Sequence, residues 1–190
     1  MIVGVLLAAG GSRRFGSQKL VALVRGVPLI RHAADLLART TDHVVAVIGS
    51  DALVVRAALA GTGAEVVENP EWRDGLSTSL RRGVASVSPL AEAVVVALGD
   101  QPDVPADLVR SLVDTWRRTG HPIVTARYRG VRAPPVLLSR SVFRDVAALH
   151  GDVGAKELME RDPDNVGHVD VDTDVPPDVD SPADLDALRP

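Results

Sequence analysis

The chain has 190 residues, of which 46% are hydrophobic and 24% charged, a composition typical of folded proteins and unlike that of disordered ones. Its formal net charge of -4 excludes a surface that attracts nucleic acid as a whole. Aromatic residues amount to 3%, too few to stack a row of bases, and the absence of cysteine excludes thiol nucleophiles and zinc–cysteine sites. We expect one domain over residues 1–190 that binds no nucleic acid.

The N-terminus leads straight from Met1 into an apolar segment, with no basic stretch ahead of it that would indicate a secretory signal. No apolar run approaches the ~20 residues needed to span a bilayer, and neither end carries a lipidation signal. We therefore expect a cytoplasmic protein that makes no contact with a membrane.

Short apolar, β-branched runs alternate with amphipathic stretches along the chain. The runs predict strands over residues 2–9, 44–48, 64–67, 93–98, 122–126, 134–138 and 166–171. The amphipathic stretches predict helices over residues 28–39, 52–60, 76–87, 105–118, 139–149, 153–161 and 182–188. Apolar strands covered on both faces by helices indicate a doubly wound α/β fold with a mostly parallel central sheet.

Ligands bind such sheets at the carboxyl ends of the strands, and three loops there carry polar residues: 10–18, 69–79 and 99–103. The first loop joins three glycines and two arginines to Lys19, so that backbone N–H groups and cationic side chains would neutralise the phosphates of a triphosphate. It is not a Walker P-loop, because no Gly-Lys-Ser/Thr sequence ends it. The alternative is a surface loop with solvated arginines.

Asp100 follows the most apolar predicted strand, where its carboxylate would meet Mg²⁺ and phosphate oxygens. The alternative is a turn-forming aspartate, for which the neighbours Gly99 and Pro102 are typical. In the second loop, Ser77 and Ser79 at a predicted helix start would line the same pocket, or else form an ordinary cap and turn. No histidine has a partner at a useful spacing, so we assign no catalytic histidine.

The first loop resembles the signature L-A-A-G-x-S-x-R-x-G-x-x-K of the MobA-like nucleotidyltransferases, which it matches from Leu7 to Lys19. The resemblance continues through residues 27–32, 69–80, 98–102, 151–156 and 178–185, and so covers nearly the whole chain. Each block is modestly specific, but their joint order is strong evidence, and the residues are most similar to those of molybdenum cofactor cytidylyltransferases. The resemblance implies a Rossmann-like nucleotidyltransferase fold, a Mg²⁺ requirement, and transfer of CMP from CTP to molybdopterin cofactor.

The roles of family residues carry over to the positions that match the motifs. The nucleotide would contact Leu7, Ala8, Ala9, Gly10, Gly11, Ser12, Arg14, Lys19, Ser77 and Asp100. Arg14, Lys19 and Asp100 would be catalytic, the two cations by holding phosphates and the carboxylate by binding the metal. Asp180 would be the second metal ligand; the alternative is that Asp178, Asp180 and Ser181 simply cap the last helix.

One segment departs from the family, because this chain has Arg132-Ala133-Pro134 where many cytidylyltransferases have Gly-His-Pro. Ala9 replaces a glycine of the guanylyltransferase-type L-A-G-G motif, which favours cytosine over the bulkier guanine. Two alternatives stay open: a transferase for GTP or another small phosphorylated acceptor, and a non-catalytic accessory protein that binds nucleotide or cofactor for a molybdenum enzyme. The expected protein partner is a molybdenum enzyme or its chaperone.

Overall fold

The computed structural model describes residues 1–12 and 15–188, which form alternating strands and helices. The strands are β1 (Ile2–Ala8), β2 (Leu23–Val24), β3 (Val27–Pro28), β4 (His43–Ile48), β5 (Glu65–Glu68), β6 (Ala93–Leu98), β7 (Ile123–Tyr128), β8 (Val131–Ser139) and β9 (Val166–Val171). The helices are α1 (Leu29–Thr40), α2 (Ala52–Ala58), α3 (Leu76–Ser86), α4 (Ala106–Thr119), α5 (Phe143–Ala147), α6 (Ala155–Arg161) and α7 (Pro182–Ala187). No helix in this part of the chain is long and apolar enough to cross a bilayer.

Seven strands form one sheet in the order β5-β4-β1-β6-β8-β7-β9. Neighbouring strands are parallel except at β8, which is antiparallel to both β6 and β7. Successive residues of a strand face opposite sides, so Leu6 packs with Ile30 of α1, while Val5 packs with Leu80 of α3 on the other side. The predicted α/β fold, with a mostly parallel sheet and helices on both faces, is confirmed.

The strand order reverses beside β1. From β1 the chain adds β4 and β5 on one side, and it then returns to add β6 on the other. Leu7 of β1 lies opposite Leu98 of β6, so the loops that follow these two strands leave the same edge of the sheet side by side. Open α/β sheets bind their ligands at such a switch point.

The structure contains a small hairpin, β2–β3, that the apolar pattern does not predict, because each of its strands has only two residues. Arg25 and Gly26 form its turn with φ of 50° and 77°, and positive φ at both positions is typical of tight hairpins. Strand β8 begins earlier than predicted, at Val131. A shift of register between Thr125 and Ala126 accommodates two prolines in β8 that cannot donate to a ladder.

Candidate functional site

A cleft of about 720 Å³ opens at the switch point between β1 and β6, and we call it the switch-point cleft. Its walls come from the turn after β1, the loop after β6, the start of α3 and the segment that precedes α7. The three loops selected from the sequence therefore share one cavity. Residues about 80 and 160 positions apart meet there because β1 and β6 are neighbours in the sheet.

The turn after β1 is packed against the ring of Trp72. A Cβ atom at Gly11 would lie 2.9 Å from this ring, and one at Gly49, after β4, would lie 2.7 Å from the Trp72 Cβ. Only glycine fits at these two positions without movement of the tryptophan. A Cβ at Gly10, by contrast, would meet nothing within 4 Å. The guanidinium of Arg73 stacks over the same ring at 4.3 Å from its centre, so the indole forms a fixed wall of the cleft.

Gln18 organises the end of the glycine-rich loop. Its Oε1 accepts a hydrogen bond from Ser12 Oγ at 3.0 Å, and its Nε2 donates to Asp51 Oδ2 at 3.2 Å. Ser12 Oγ in turn accepts from the backbone N–H of Lys19 at 3.2 Å. These bonds are buried or half-buried, so they attach the loop to the carboxyl end of β4 and set the starting position of the Lys19 side chain.

The Lys19 ammonium lies between two carboxylates. Its Nζ donates to Asp100 Oδ2 at 2.8 Å and to Asp180 Oδ1 at 2.9 Å. The lysine side chain is only 12% exposed. Burial alone would lower the pKa of Lys19, but the hydrogen bonds and negative charges of Asp100 and Asp180 outweigh it and raise this pKa above its usual 10.5. Lys19 is therefore charged at neutral pH, and it holds both carboxylates in one place.

The segment before α7 is attached directly to the loop after β6. The backbone N–H of Val179 donates to the carbonyl oxygen of Asp100 at 3.1 Å, and Gln101 Nε2 donates to Asp178 Oδ1 at 2.8 Å. Burial, together with the charges of Asp100 and Asp180, raises the pKa of Asp178 in spite of the bond from Gln101. These contacts carry Asp180 to the edge of the sheet.

The first turn of α7 is capped without the carboxylate of Asp180. Ser181 Oγ accepts from the backbone N–H of Asp184, and Asp184 Oδ2 accepts from the backbone N–H of Ser181 at 2.7 Å, which is a complete capping box. Hydrogen bonds from Ser181 and from the backbone of Asp180 lower the pKa of Asp184. The carboxylate of Asp180 contacts Lys19 at the cleft, whereas the cap is made by Ser181 and Asp184; the predicted role of Asp180 as a metal ligand stays a prediction.

Asp100 and Asp180 fit a small divalent cation. Both carboxylate oxygens point to the one position that the Lys19 ammonium occupies, and both residues line the cleft. Mg²⁺ in proteins is commonly held by one or two carboxylates and completes its octahedral shell with water and substrate phosphates. Among the described residues, no group of three or more histidine, aspartate or glutamate side chains is placed to hold a metal ion.

The start of α3 is held by the turn before α6. Gly75 has φ of 109°, which favours glycine, and a Cβ at this position would lie 2.4 Å from the carbonyl carbon of Gly151. The backbone N–H of Leu76 donates to Asp152 Oδ1 at 3.2 Å, so this carboxylate caps the first turn of the helix. One side of the switch-point cleft thus depends on a contact between two distant turns.

A second cleft, of about 600 Å³, adjoins the first, and the two share Leu7, Leu76, Leu98 and Asp152. Side chains of α3, β6, β8 and α6 form its lining, which is mostly apolar, and Arg132 lies at its rim. We call it the apolar cleft. The two cavities meet at the carboxyl ends of β1 and β6, so ligands bound in each would face one another.

The structure brings most of the predicted site residues into the switch-point cleft, namely Leu7, Ala8, Ala9, Gly10, Gly11, Ser12, Lys19, Asp100 and Asp180. Arg14 lies outside the described residues. Ser77 is fully buried, its backbone N–H donates to the carbonyl of Gly151 at 3.3 Å, and Ser79 lines the cleft instead. The position of Ser77 on the buried side of α3 does not support the predicted nucleotide contact.

Two residues important to the site geometry are not identified by the sequence analysis: Gln18 and Asp152. Gln18 and Asp152 lie inside blocks that resemble the family, which is the signal that could have identified them. Their roles depend on partners that are far away in the sequence, such as Asp51 and Leu76. No local pattern indicates those partners.

Comparison with known proteins places this site in a family. A family model described as the MobA-like NTP transferase domain matches residues 4–166. The purine catabolism protein PucB of Bacillus subtilis is 28% identical over 99% of this chain and 96% of its own length. A probable molybdenum cofactor guanylyltransferase of Thermococcus gammatolerans is 28% identical over 76% of this chain and 73% of its own length.

A solved structure is similar over nearly the whole chain. The crystal structure of Rv0371c from Mycobacterium tuberculosis has a TM-score of 0.88 and 34% identity, and the match covers 98% of this chain and 96% of that one. A manganese complex of Rv0371c has a TM-score of 0.82 at 34% identity, over 98% and 97% of the two chains. Because the family model spans most of the sequence, the resemblance noted from its motifs is confirmed, and the chain belongs to the MobA-like NTP transferase family.

Proposed function

We propose that the protein transfers CMP from CTP to the phosphate of molybdopterin cofactor, with release of pyrophosphate. The observation that carries this proposal is the arrangement of Lys19, Asp100 and Asp180 beside the glycine-rich turn in the switch-point cleft, which adjoins the apolar cleft. The switch-point cleft would hold the triphosphate, and the apolar cleft would hold the acceptor. Membership of an NTP transferase family supports the reaction class.

The reaction is an in-line displacement at the α-phosphorus of the nucleotide. An oxygen of the acceptor phosphate forms the new bond, the bond from the α-phosphorus to the bridging oxygen breaks, and pyrophosphate leaves with that oxygen. A phosphate monoester is already largely ionised at neutral pH, so no general base is needed. The chain contributes by positioning the reactants and by neutralising charge.

Different residues would position the reactants and neutralise their charge. Ala9, Gly10 and Gly11 line the cleft, and their backbone N–H groups would donate to nucleotide oxygens. Asp100 and Asp180 would hold Mg²⁺, which when bound neutralises charge on the phosphate oxygens. The Lys19 ammonium, which lies beside both carboxylates, would bind the phosphates. Arg14 is proposed as a second phosphate contact from its place in the family motif. The manganese complex of Rv0371c supports a divalent metal in the family.

The preference for CTP rests on the size of the base pocket. Ala9 carries a methyl group in the turn, and the Trp72 ring packs directly onto Gly11, so both side chains would border the base. A pyrimidine needs less room than a purine. The similarity to a probable molybdenum cofactor guanylyltransferase favours GTP as the second candidate nucleotide with the same mechanism.

The experiment is a screen of CTP, GTP, ATP and UTP at equal concentrations with molybdopterin cofactor, read out as pyrophosphate release and as nucleotide-linked cofactor. We expect product with CTP and Mg²⁺, and none with cofactor that lacks the phosphate. The Asp100→Asn variant is the matched control for contaminating activity. A preference for GTP would identify a guanylyltransferase, whereas nucleotide binding without pyrophosphate release would indicate a non-catalytic accessory protein.

A further inference from the structure

The charges that surround the apolar cleft cancel one another, apart from one arginine. On α6, Glu157 is paired with Arg161, and Lys156 lies 3.7 Å from Glu160. At the boundary with the switch-point cleft, Asp152 accepts the hydrogen bond that caps α3. Each acidic group of the lining therefore already has a partner of opposite sign, either a basic side chain or a helix N-terminus.

Arg132 differs from the two other arginines of its hairpin. Arg127 forms a two-pronged ion pair with Asp170 at 2.5 and 2.9 Å, and Arg129 contacts Asp172 and Asp174. In the part of the chain that the structure describes, no carboxylate lies within ion-pairing distance of Arg132. The lining of the apolar cleft therefore includes one guanidinium that no carboxylate compensates.

The polar contact of Arg132 is His168, whose Nε2 lies 3.4 Å from the guanidinium. Burial lowers the pKa of His168, and the charges of Arg132 and Arg127 lower it further, against a smaller opposite effect of Asp170. His168 is therefore neutral at neutral pH and accepts a hydrogen bond without cancelling the charge of Arg132. Arg132 can therefore still bind an anion.

Arg132 lies at the edge of the sheet where the two clefts open. Strand β8 runs antiparallel to β6, with Val136 opposite Val96. Arg132, four residues before Val136, consequently lies beyond the carboxyl end of β6, at the same edge as Asp100. An anion held by Arg132 would lie in the apolar cleft and close to its junction with the switch-point cleft.

We propose that Arg132 binds the phosphate of the acceptor, and that the apolar cleft selects phosphate monoesters with a ring-sized body. This inference rests on the proposed function, because it names the substrate class of the acceptor side. A guanidinium matches two phosphate oxygens with its planar fork, which gives the contact both charge and direction. Apolar walls contribute affinity, and the arginine contributes the requirement for an anion.

The test measures binding of 1-naphthyl phosphate and of 1-naphthol by calorimetry, with the intact protein and no nucleotide. We expect the phosphate to bind at least about tenfold more tightly, as one charge-assisted contact provides. Arg132→Ala should abolish most of this difference while naphthol binding stays the same, and Arg132→Lys should restore part of it. Arg129→Ala is the matched control, since that arginine is compensated by Asp172 and Asp174. Saturating CTP should leave the affinity for naphthyl phosphate unchanged.

Three results would overturn the inference: equal affinity for the two naphthyl compounds in the wild-type protein, an equal loss in Arg129→Ala, or displacement of naphthyl phosphate by CTP. Failure of the proposed function is a separate result. If wild-type protein discriminates the naphthyl compounds but does not transfer CMP to molybdopterin, the acceptor is another phosphate ester of the same class. If it does transfer, Arg132→Ala should raise the KM for molybdopterin about tenfold and leave the KM for CTP unchanged.

Discussion

The two clefts hold their charges in opposite ways. In the switch-point cleft, a lysine is placed between two carboxylates by hydrogen bonds of 2.8 and 2.9 Å, so the charged groups are fixed before any ligand arrives. In the apolar cleft, the acidic groups are paired and one arginine is left with a neutral partner. Charge that is pre-organised suits chemistry on a polyphosphate, whereas an uncompensated cation in an apolar wall suits selection of an anionic ligand.

The two clefts also differ in the direction of the strands that form them. The switch-point cleft is built on β1 and β6, which are parallel neighbours, so their following loops emerge together. The apolar cleft uses β8, the antiparallel strand, which brings the beginning of a strand rather than its end to the same edge. Substitutions in the first region should therefore change the rate of transfer, and substitutions in the second should change acceptor affinity.

The largest effect is expected from Asp100→Asn. Loss of the negative charge weakens metal binding, so the transfer rate should fall by roughly two orders of magnitude, equivalent to about 3 kcal/mol of barrier. Melting temperature without nucleotide should hardly change, because the amide oxygen still accepts from Lys19. Turnover at increasing Mg²⁺ and thermal unfolding are to be measured on one preparation. Asp103→Asn, at an exposed pair with Arg25, is the control. Near-normal turnover at saturating Mg²⁺ would show that Asp100 only forms a turn.

Gly75→Ala should disturb both clefts, because the start of α3 lines each of them. A Cβ at φ of 109° would be strained and would lie 2.4 Å from the backbone of Gly151, so we expect a loss of about 2 kcal/mol or more in unfolding free energy. Urea denaturation measures this loss. Gly63→Ala, which has positive φ but open space around it, should cost only about 1 kcal/mol. Equal losses in the two variants would mean that the contact with Gly151 is easily relaxed.

Lys19→Met keeps most of the side-chain volume but leaves Asp100 and Asp180 without their shared cation. We expect a loss of about 1–2 kcal/mol in stability without metal, recovered on addition of Mg²⁺, together with weaker CTP binding. Unfolding with and without Mg²⁺ distinguishes this repulsion from a simple packing defect, which metal would not repair. Lys156→Met, on the exposed face of α6, is the control for stability and should unfold as the wild type does, with and without Mg²⁺.

The smallest effect at neutral pH is expected from Tyr128→Phe. Burial raises the pKa of Tyr128 from 10.0 to about 12, so the folded state keeps the phenol protonated more strongly than the unfolded state does. The protonated phenol therefore makes its full contribution to the free energy of unfolding below pH 10, and this contribution is lost as pH rises toward about 12. Tyr128 is the chain's single tyrosine, so phenolate absorbance follows it alone. The variant should lose less than about 1 kcal/mol at neutral pH, through its bond to the Pro134 carbonyl, and should be less sensitive to alkali.

Much of the architecture is determined by local sequence. Apolar runs at β1, β4 and β6, separated by amphipathic stretches, predict a parallel sheet between two layers of helices, and the structure confirms it. The rule that ligands bind at strand carboxyl ends then selects the loops that form the switch-point cleft. Lys19 and Asp100 could be predicted because each belongs to the polar segment that follows a predicted strand, and because each matches a family motif.

Tertiary structure alone decided which side chains meet. Lys19 and Asp180 are 161 positions apart, and the Trp72 ring reaches Gly11 only because α3 packs beside β1. The uncompensated charge of Arg132 likewise follows from the pairing of its neighbours with β9 and the segment after it. Periodicity and turn chemistry are properties of a few consecutive residues and can be read from them. Contacts between distant charges depend on how the whole sheet packs, and no short stretch of sequence carries that information.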